Sequence, residues 1–224
     1  MDLNDPRVNK YEEFNKTYPA NMSALLNAGG VPMSISDIME RRVEVLEKFK
    51  GHEVVDNWWD NYFYSCTGVA QFGDRIKVVE RPKLLLEIGK HVKSIKNGAL
   101  QLPKDAWGKL GGEGFSYNEL KNVLNKPLSA SKVLKHPIWN AVAGKEFLEK
   151  YIKVMGKKYR FKEFMGVYLD DPKESQNNPT LRAFVLGRGG DRWSDLYGFG
   201  GSRGLGDYGA RLVGVLAEAK PPKS

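Results

Sequence analysis

A chain of 224 residues that is 41% apolar, 28% charged and 11% aromatic can build the core of one compact domain or two small ones, which excludes wholesale disorder. One cysteine, Cys66, rules out an intramolecular disulfide, and His52, His91 and His136 are too widely spaced for a Cys/His zinc signature, so no metal site and no cofactor are expected. No run reaches the roughly 18 to 20 apolar residues of a membrane helix, and the start MDLNDPRVNKYEEF is charged where a signal peptide would be apolar. No membrane insertion is expected, and a cytoplasmic, virion-associated or unconventionally displayed protein all fit.

The first 33 residues read as a weakly helical or irregular lead-in ending at Gly29-Gly30-Val31-Pro32. Ser34 and Asp37 form a capping-box pattern ahead of an apolar stripe of Ile35, Ile38, Met39, Leu46 and Phe49, which predicts a helix near 36–50 stopped by Gly51. Aromatic and β-branched residues between Trp58 and Ile95 suggest short strands with a turn at Gly73-Asp74 and a break at Pro82. Residues 98–115 read as a glycine-rich loop. Ser116 and Glu119 repeat the capping-box pattern, and Val142, Leu148, Ile152 and Met155 predict a longer helix near 138–156 ending at Gly156. Alternation of Tyr159, Phe161, Met165, Val167 and Leu169 predicts a half-buried strand leading to a turn at Asp170-Asp171-Pro172, and 181–186 and 212–216 are further strand candidates. Helices followed by strands favour an α+β fold.

The net charge of +8 is uneven. Residues 120–162 hold eleven Lys and Arg against Glu146 and Glu149, a local +9, and the rest of the chain sums to −1. The block is either a solvated helical face or an anion-binding face; in the second case Trp139, Tyr151 and Tyr159 are possible stacking groups for nucleic acid.

Between Glu174 and Glu218 lie 43 residues with neither Lys nor Glu, although those two types fill 39 of the other 181 positions. Arg and Asp remain, so only the long flexible charged types are missing. Ten glycines in 187–214 alternate with Trp193, Tyr197, Phe199 and Tyr208, a vocabulary of loops and adaptable binding surfaces. A disordered tail, or an arginine-glycine nucleic-acid tail prompted by Arg188-Gly189-Gly190, is the alternative; the apolar run Leu212–Leu216 argues for a stretch tethered at both ends.

Catalytic patterns fail on context. Gly204-Leu205-Gly206-Asp207-Tyr208-Gly209 has dinucleotide-loop spacing with no strand predicted before it. Gly200-Gly201-Ser202-Arg203-Gly204 has nucleophile-elbow spacing, yet no histidine follows His136. Cys66 reads as a structural thiol, and Asp56 and Asp60 as solubilising groups beside Trp58 and Trp59. No enzyme is expected.

The helix, helix, strand order, the Arg188-Gly189-Gly190 segment with Trp193, and the closing Gly209-Ala210-Arg211-Leu212-Val213 together resemble the C-type-lectin-like fold. That fold is shared by formylglycine-generating enzymes and by the variable proteins of diversity-generating retroelements. The resemblance covers about 116–217, with 1–115 as a helical and β lead-in packed on the same core and 218–224 as a polar tail; Ala210 stands where the pattern often has an aromatic residue. The cysteine pair of the formylglycine enzymes is missing, so oxidase chemistry is not implied. In the variable proteins, adenine mutagenesis of AAC-like or AAT-like codons never yields Lys, Glu, Gln or Met, and 181–216 contains none of them. Trp is also beyond that code, so Trp193 would be a fixed framework residue. The chain is most similar to archaeal or archaeal-virus members of this class. The resemblance implies a non-enzymatic protein that presents a diversified surface, about 187–209, to a protein or cell-surface ligand. Its solvent-facing contacts would come from Arg188, Asp191, Arg192, Ser194, Asp195, Leu196, Tyr197, Phe199, Ser202, Arg203, Leu205, Asp207 and Tyr208. The alternative is a basic nucleic-acid-binding protein that uses 120–162.

Overall fold

The computed structural model describes residues 1–5, 10–159, 163–189, 193–198, 204–207 and 209–216, with the side chains of 159, 163, 164, 188, 189 and 193 left out of the description. Its first third runs β1 (Tyr11–Lys16), α1 (Tyr18–Asn27), β2 (Val31–Pro32), α2 (Ile35–Lys48), α3 (Glu53–Trp59), β3 (Phe63–Phe72) and β4 (Arg75–Val79). The middle holds short elements: α4 (Lys83–Leu86), β5 (Ile95–Lys96), β6 (Ala99–Gln101), α5 (Lys104–Lys109), β7 (Glu113–Ser116), α6 (Tyr117–Leu120), β8 (Pro127–Ser129) and α7 (Ala130–Val133). The last third is α8 (Pro137–Ala143), α9 (Lys145–Tyr159), β9 (Glu163–Leu169), β10 (Thr180–Gly189), β11 (Trp193–Gly198) and β12 (Ala210–Val215).

The capping box at Ser34 and Asp37 is formed: the Asp37 amide donates to Ser34 Oγ at 3.2 Å and the Ser34 amide to Asp37 Oδ2 at 2.7 Å. Two helices replace the one expected near 138–156. Gly144, at φ +70°, separates α8 from α9, a left-handed conformation that glycine adopts without Cβ strain. Gly156 does not end the second helix, which runs to Tyr159; strand β9 starts at Glu163, and Phe161 lies outside the described residues. The irregular lead-in is corrected to β1, α1 and β2, and the 98–115 loop to β6, α5 and β7. Trp58 sits in a helix, because burial of Val54, Val55, Trp58 and Trp59 on one side outweighs aromatic β-propensity.

One sheet joins both halves of the chain in the order β1, β12, β3, β10, β11, β9, β8. The first and last strands pair antiparallel from Tyr11↔Val215 to Lys16↔Ala210. β3 and β4 form a tight hairpin through Gly73, and β10 pairs with β3 on one side and β11 on the other. β11 lies parallel to β9, from Leu196↔Val167 to Gly198↔Leu169.

Alternation along the central strands divides the core into two layers. Phe63, Val69, Phe184, Leu186, Leu196 and Val213 point into a layer with α2, α3, α8 and α9, where Trp58, Trp59, Trp139 and Tyr151 are fully or nearly fully buried. Tyr64, Cys66, Ala70, Leu181, Val185 and Leu212 point the other way, against Tyr18, Met22 and Leu25 of α1 and against Leu85, Leu102 and Trp107. Cys66 donates its thiol to the Pro32 carbonyl, and burial pushes its pKa up to about 12, which leaves essentially no thiolate near neutrality.

His136, just before α8, is 1% exposed, and neither ring nitrogen has a hydrogen-bond partner among the described residues. Desolvation lowers its pKa to about 4, and the nearby Val123 backbone offsets only part of this. An unfolded histidine titrates near 6.5, so the unfolded chain takes up the proton first as pH falls. The stability that the neutral ring contributes is therefore complete above about pH 6.5 and is lost progressively toward pH 4, to the extent of about 3 kcal/mol. Urea denaturation at pH 7, 5.5 and 4.5 should show this acid loss in the native chain and a flatter profile in His136→Phe.

Candidate ligand-binding site

The glycine-rich stretch 187–214 begins inside β10 and ends inside β12. Backbone pairing of Val185↔Tyr197 through Gly189↔Trp193 makes β10 and β11 a hairpin, and Arg188 stands opposite Ser194. Main-chain bonds fix that register, so the hairpin does not depend on which side chains project from its tip.

The β11 side chains from Ser194 to Tyr197 are buried. Ser194 is 3% exposed and hydrogen-bonds Tyr151 Oη at 2.9 Å. Arg42, 1% exposed, joins the pair: its Nη1 donates to Ser194 Oγ at 3.2 Å and to Tyr151 Oη at 3.3 Å, while Nε and Nη2 donate to the Trp58 and Asn61 carbonyls. The ring of Tyr151 stacks on Trp59 with centroids 5.5 Å apart. Asp195 accepts from the Gly166 amide at 2.7 Å and from Tyr197 Oη at 2.9 Å, which ties β11 to β9. Tyr197 stacks on Tyr168, whose pKa is pushed up to about 12 by burial and by the Asp195 charge.

Further along, Leu205 is held by the turn between β5 and β6. Its amide donates to the Gly98 carbonyl at 2.9 Å, and Tyr64 Oη contacts the Gly204 carbonyl at 3.5 Å. The Gly204 amide donates to Asp207 Oδ2 at 2.6 Å, closing a local turn. Gly98, at φ +69°, and Gly204 approach backbone to backbone, so that a Cβ on Gly204 would lie 2.5 Å from Gly98 Cα. Arg182, beneath the turn, donates to the Asn97 carbonyl and forms an ion pair of 2.5 Å with Asp170. Beside this staple is an open cavity of about 560 Å³ lined by Asn97, Gly98, Asp170, Asp171, Glu174, Arg182 and Asp207. At the end of the stretch, Arg211 pairs with Glu13 at 3.2 Å, bonds Asn61 and lies over the Tyr62 ring, fastening β12 to the first strand.

These positions correct the expectation that the whole set faces solvent. Ser194, Asp195, Leu196 and Tyr197 are buried because β11 is flanked by β10 and β9 and both of its faces are covered, and Leu205 is buried against the β5–β6 turn. Asp207 is half-exposed at the cavity rim, and the Arg188 backbone is in β10. Asp191, Arg192, Phe199, Ser202, Arg203 and Tyr208 lie outside the described residues, as does the 218–224 tail. Two stacking groups of the nucleic-acid alternative are corrected too: Trp139 and Tyr151 are fully buried, while the Tyr159 side chain lies outside the description. Of the acidic pair weighed for acid/base work, Asp56 pairs with Lys158 at 3.2 Å, and Asp60 caps the end of α3. Asn97, Gly98 and Arg42 went unnoticed in sequence; only the Asn97-Gly98 turn dipeptide carried a local signal.

Among solved structures, the chain matches a nanoarchaeal protein described as accommodating massive sequence variation by the C-type lectin fold. The TM-score is 0.71 at 18% identity, over 94% of this chain and 99% of that one. The chain therefore has the C-type lectin fold, and the likeness extends well beyond the 116–217 portion that carries the sequence motifs. No protein-family profile matches the chain, and no curated protein does. Among the described residues no helix is long and apolar enough to cross a membrane.

The staple sets apart two neighbouring glycines. Gly204→Ala should lower the melting temperature by several degrees, because its Cβ meets backbone. Gly206→Ala, whose Cβ would find only Ile95 Cγ2 at 3.8 Å, should leave it within about one or two degrees. Ser194→Ala should cost about 1–2 kcal/mol by taking an acceptor from buried Arg42, measurable by urea denaturation.

Proposed function

We propose that this protein is a variable protein of a diversity-generating retroelement, of the archaeal or archaeal-virus type, and that it binds a protein or cell-surface target without catalysis. The observation that carries the reading is the alphabet of 181–216. Lys, Glu, Gln and Met are missing from a stretch that is rich in Gly and Arg and also holds Asp, Ser and Tyr. Burial accounts for the absence at the strand positions of β10, β11 and β12, but not in the connections between them, since Lys and Glu are ordinary residues of loops. A mutagenic process that cannot write those codons does explain it. The fold supports the reading, because a nanoarchaeal protein of the same fold accommodates massive sequence variation.

On this reading 116–217 is the ligand-binding portion, 1–115 its framework and 218–224 a polar tail. Burial divides the candidate contacts. Ser194, Asp195, Leu196, Tyr197 and Leu205 serve as framework, and the diversified contacts come from Arg188, Asp191, Arg192, Phe199, Ser202, Arg203, Asp207 and Tyr208.

Sequencing the coding DNA across many individuals of the source population tests the proposal. Substitutions should cluster at adenines in the codons of the second group, beside a near-identical template repeat and a reverse transcriptase gene; uniform codons without a repeat would overturn it. In the purified protein, joint replacement of Asp191, Arg192, Phe199, Ser202, Arg203 and Tyr208 by Ala or Ser should leave the melting temperature within a few degrees. Val185→Asp, which places a carboxylate in a position 1% exposed, should unfold the domain.

A further inference from the structure

We infer that the β8–α7 corner of the sheet is a second interaction surface, which holds the phosphate backbone of a nucleic acid without reading its bases. Residues 120–145 contain five lysines and neither Asp nor Glu. Lys121, Lys126, Lys132 and Lys135 flank β8 and α7, and all four are exposed. None of them takes part in an ion pair among the described residues, in contrast to Lys150 and Lys158 on α9, which are neutralised by Glu47 and Asp56. Lys145, Lys153 and Lys157 of α9 are also without an ion pair among the described residues, but α9 carries Glu146 and Glu149, whereas the corner has no acidic residue of its own. β8 is also the terminal strand of the sheet path, at the opposite end from β1.

The groups at the corner decide the kind of partner. Polar Asn122 and Ser131 are exposed between the lysines, and both side-chain types hydrogen-bond phosphate oxygens. Trp139, the only Trp, Tyr or Phe in 120–145, is in the core, and there is no arginine in 120–145 to form a bidentate contact to guanine. What remains is point charge, which binds a polyphosphate chain by releasing its condensed counterions and does so regardless of sequence. An anionic membrane fits less well. A basic patch alone anchors weakly and needs an apolar partner signal. The exposed large apolar side chains among the described residues, Met1, Leu26, Val31 and Val92, all lie outside this segment.

The test is fluorescence anisotropy with labelled 25-base-pair duplexes of two unrelated sequences, titrated between 50 and 200 mM salt. Both duplexes should bind equally. The slope of log affinity against log salt should be shallower by about 3 to 4 in the Lys121→Gln, Lys126→Gln, Lys132→Gln, Lys135→Gln variant, with an affinity loss on the order of 100-fold at 100 mM salt. A control with Lys83, Lys90, Lys93 and Lys96 changed to Gln removes the same charge from an exposed region elsewhere and should retain most of the affinity. Equal losses in the two variants would reduce the effect to net charge and overturn the assignment, as would no binding at 50 mM salt. Binding to phosphatidylserine vesicles in preference to duplex would also overturn it and give the corner to a membrane surface.

Discussion

A buried guanidinium holds the β10–β11 hairpin of this molecule to its helical layer. Arg42 projects from the apolar stripe of α2 and reaches four acceptors: the carbonyls of Trp58 and Asn61 and the hydroxyls of Tyr151 and Ser194. Through it, one side chain couples α2, the end of α3, the middle of α9 and the second strand of the β10–β11 hairpin. A charge at that depth is tolerated only when its donors are satisfied, so each of the four contacts restricts where the other elements can sit. The Trp59–Tyr151 stack and the Trp59 indole bond to the Arg42 carbonyl at 2.7 Å add shape to the same junction. Hydrophobic burial alone would allow α9 to slide over the sheet; this network specifies one position.

Local chemistry made part of the fold legible in the sequence. The Ser34–Asp37 box, the Gly73 turn and the short apolar run of 181–186 act within a few residues, and each produced the element it predicts. Errors arose where tertiary packing overrode a local preference. Trp58 and Trp59 look like strand residues, yet both are drawn into a helix that buries their rings while their indole N–H groups reach the Leu3 and Arg42 carbonyls. The N-terminal lead-in looks irregular because β1, YEEFNK, is polar and half-exposed, and only its pairing with β12 across almost the whole length of the chain makes it a strand. Contacts of that separation leave no trace in a sequence window.

The candidate site divides in the same way. Composition reveals that 187–209 differs from the rest of the chain, but it does not reveal which of these residues point inward, because Ser, Asp and Tyr occur in both groups. Ser194 and Asp195 are polar and sit in a sheet interior, each satisfied by partners 29 to 152 residues away in sequence. The decisive partners, Arg42 and the Gly166 amide, belong to elements that carry no mark of a binding protein.

A surface built to vary must draw its stability from atoms that do not vary. Here the bonds that shape the stretch are backbone to backbone across the β10–β11 and β1–β12 pairs, and backbone to backbone again where the Leu205 amide meets the Gly98 carbonyl. Gly98 and Gly204 extend that logic to close packing, since two residues without side chains can touch at a distance that no Cβ permits. The staple also limits the length of free chain. It divides the connection between β11 and β12 into two short segments, and closing two short segments costs less conformational entropy than closing one long loop. Fixed points at β11, at Gly204–Leu205 and at β12 therefore anchor the stretch through main-chain groups that side-chain substitution leaves in place.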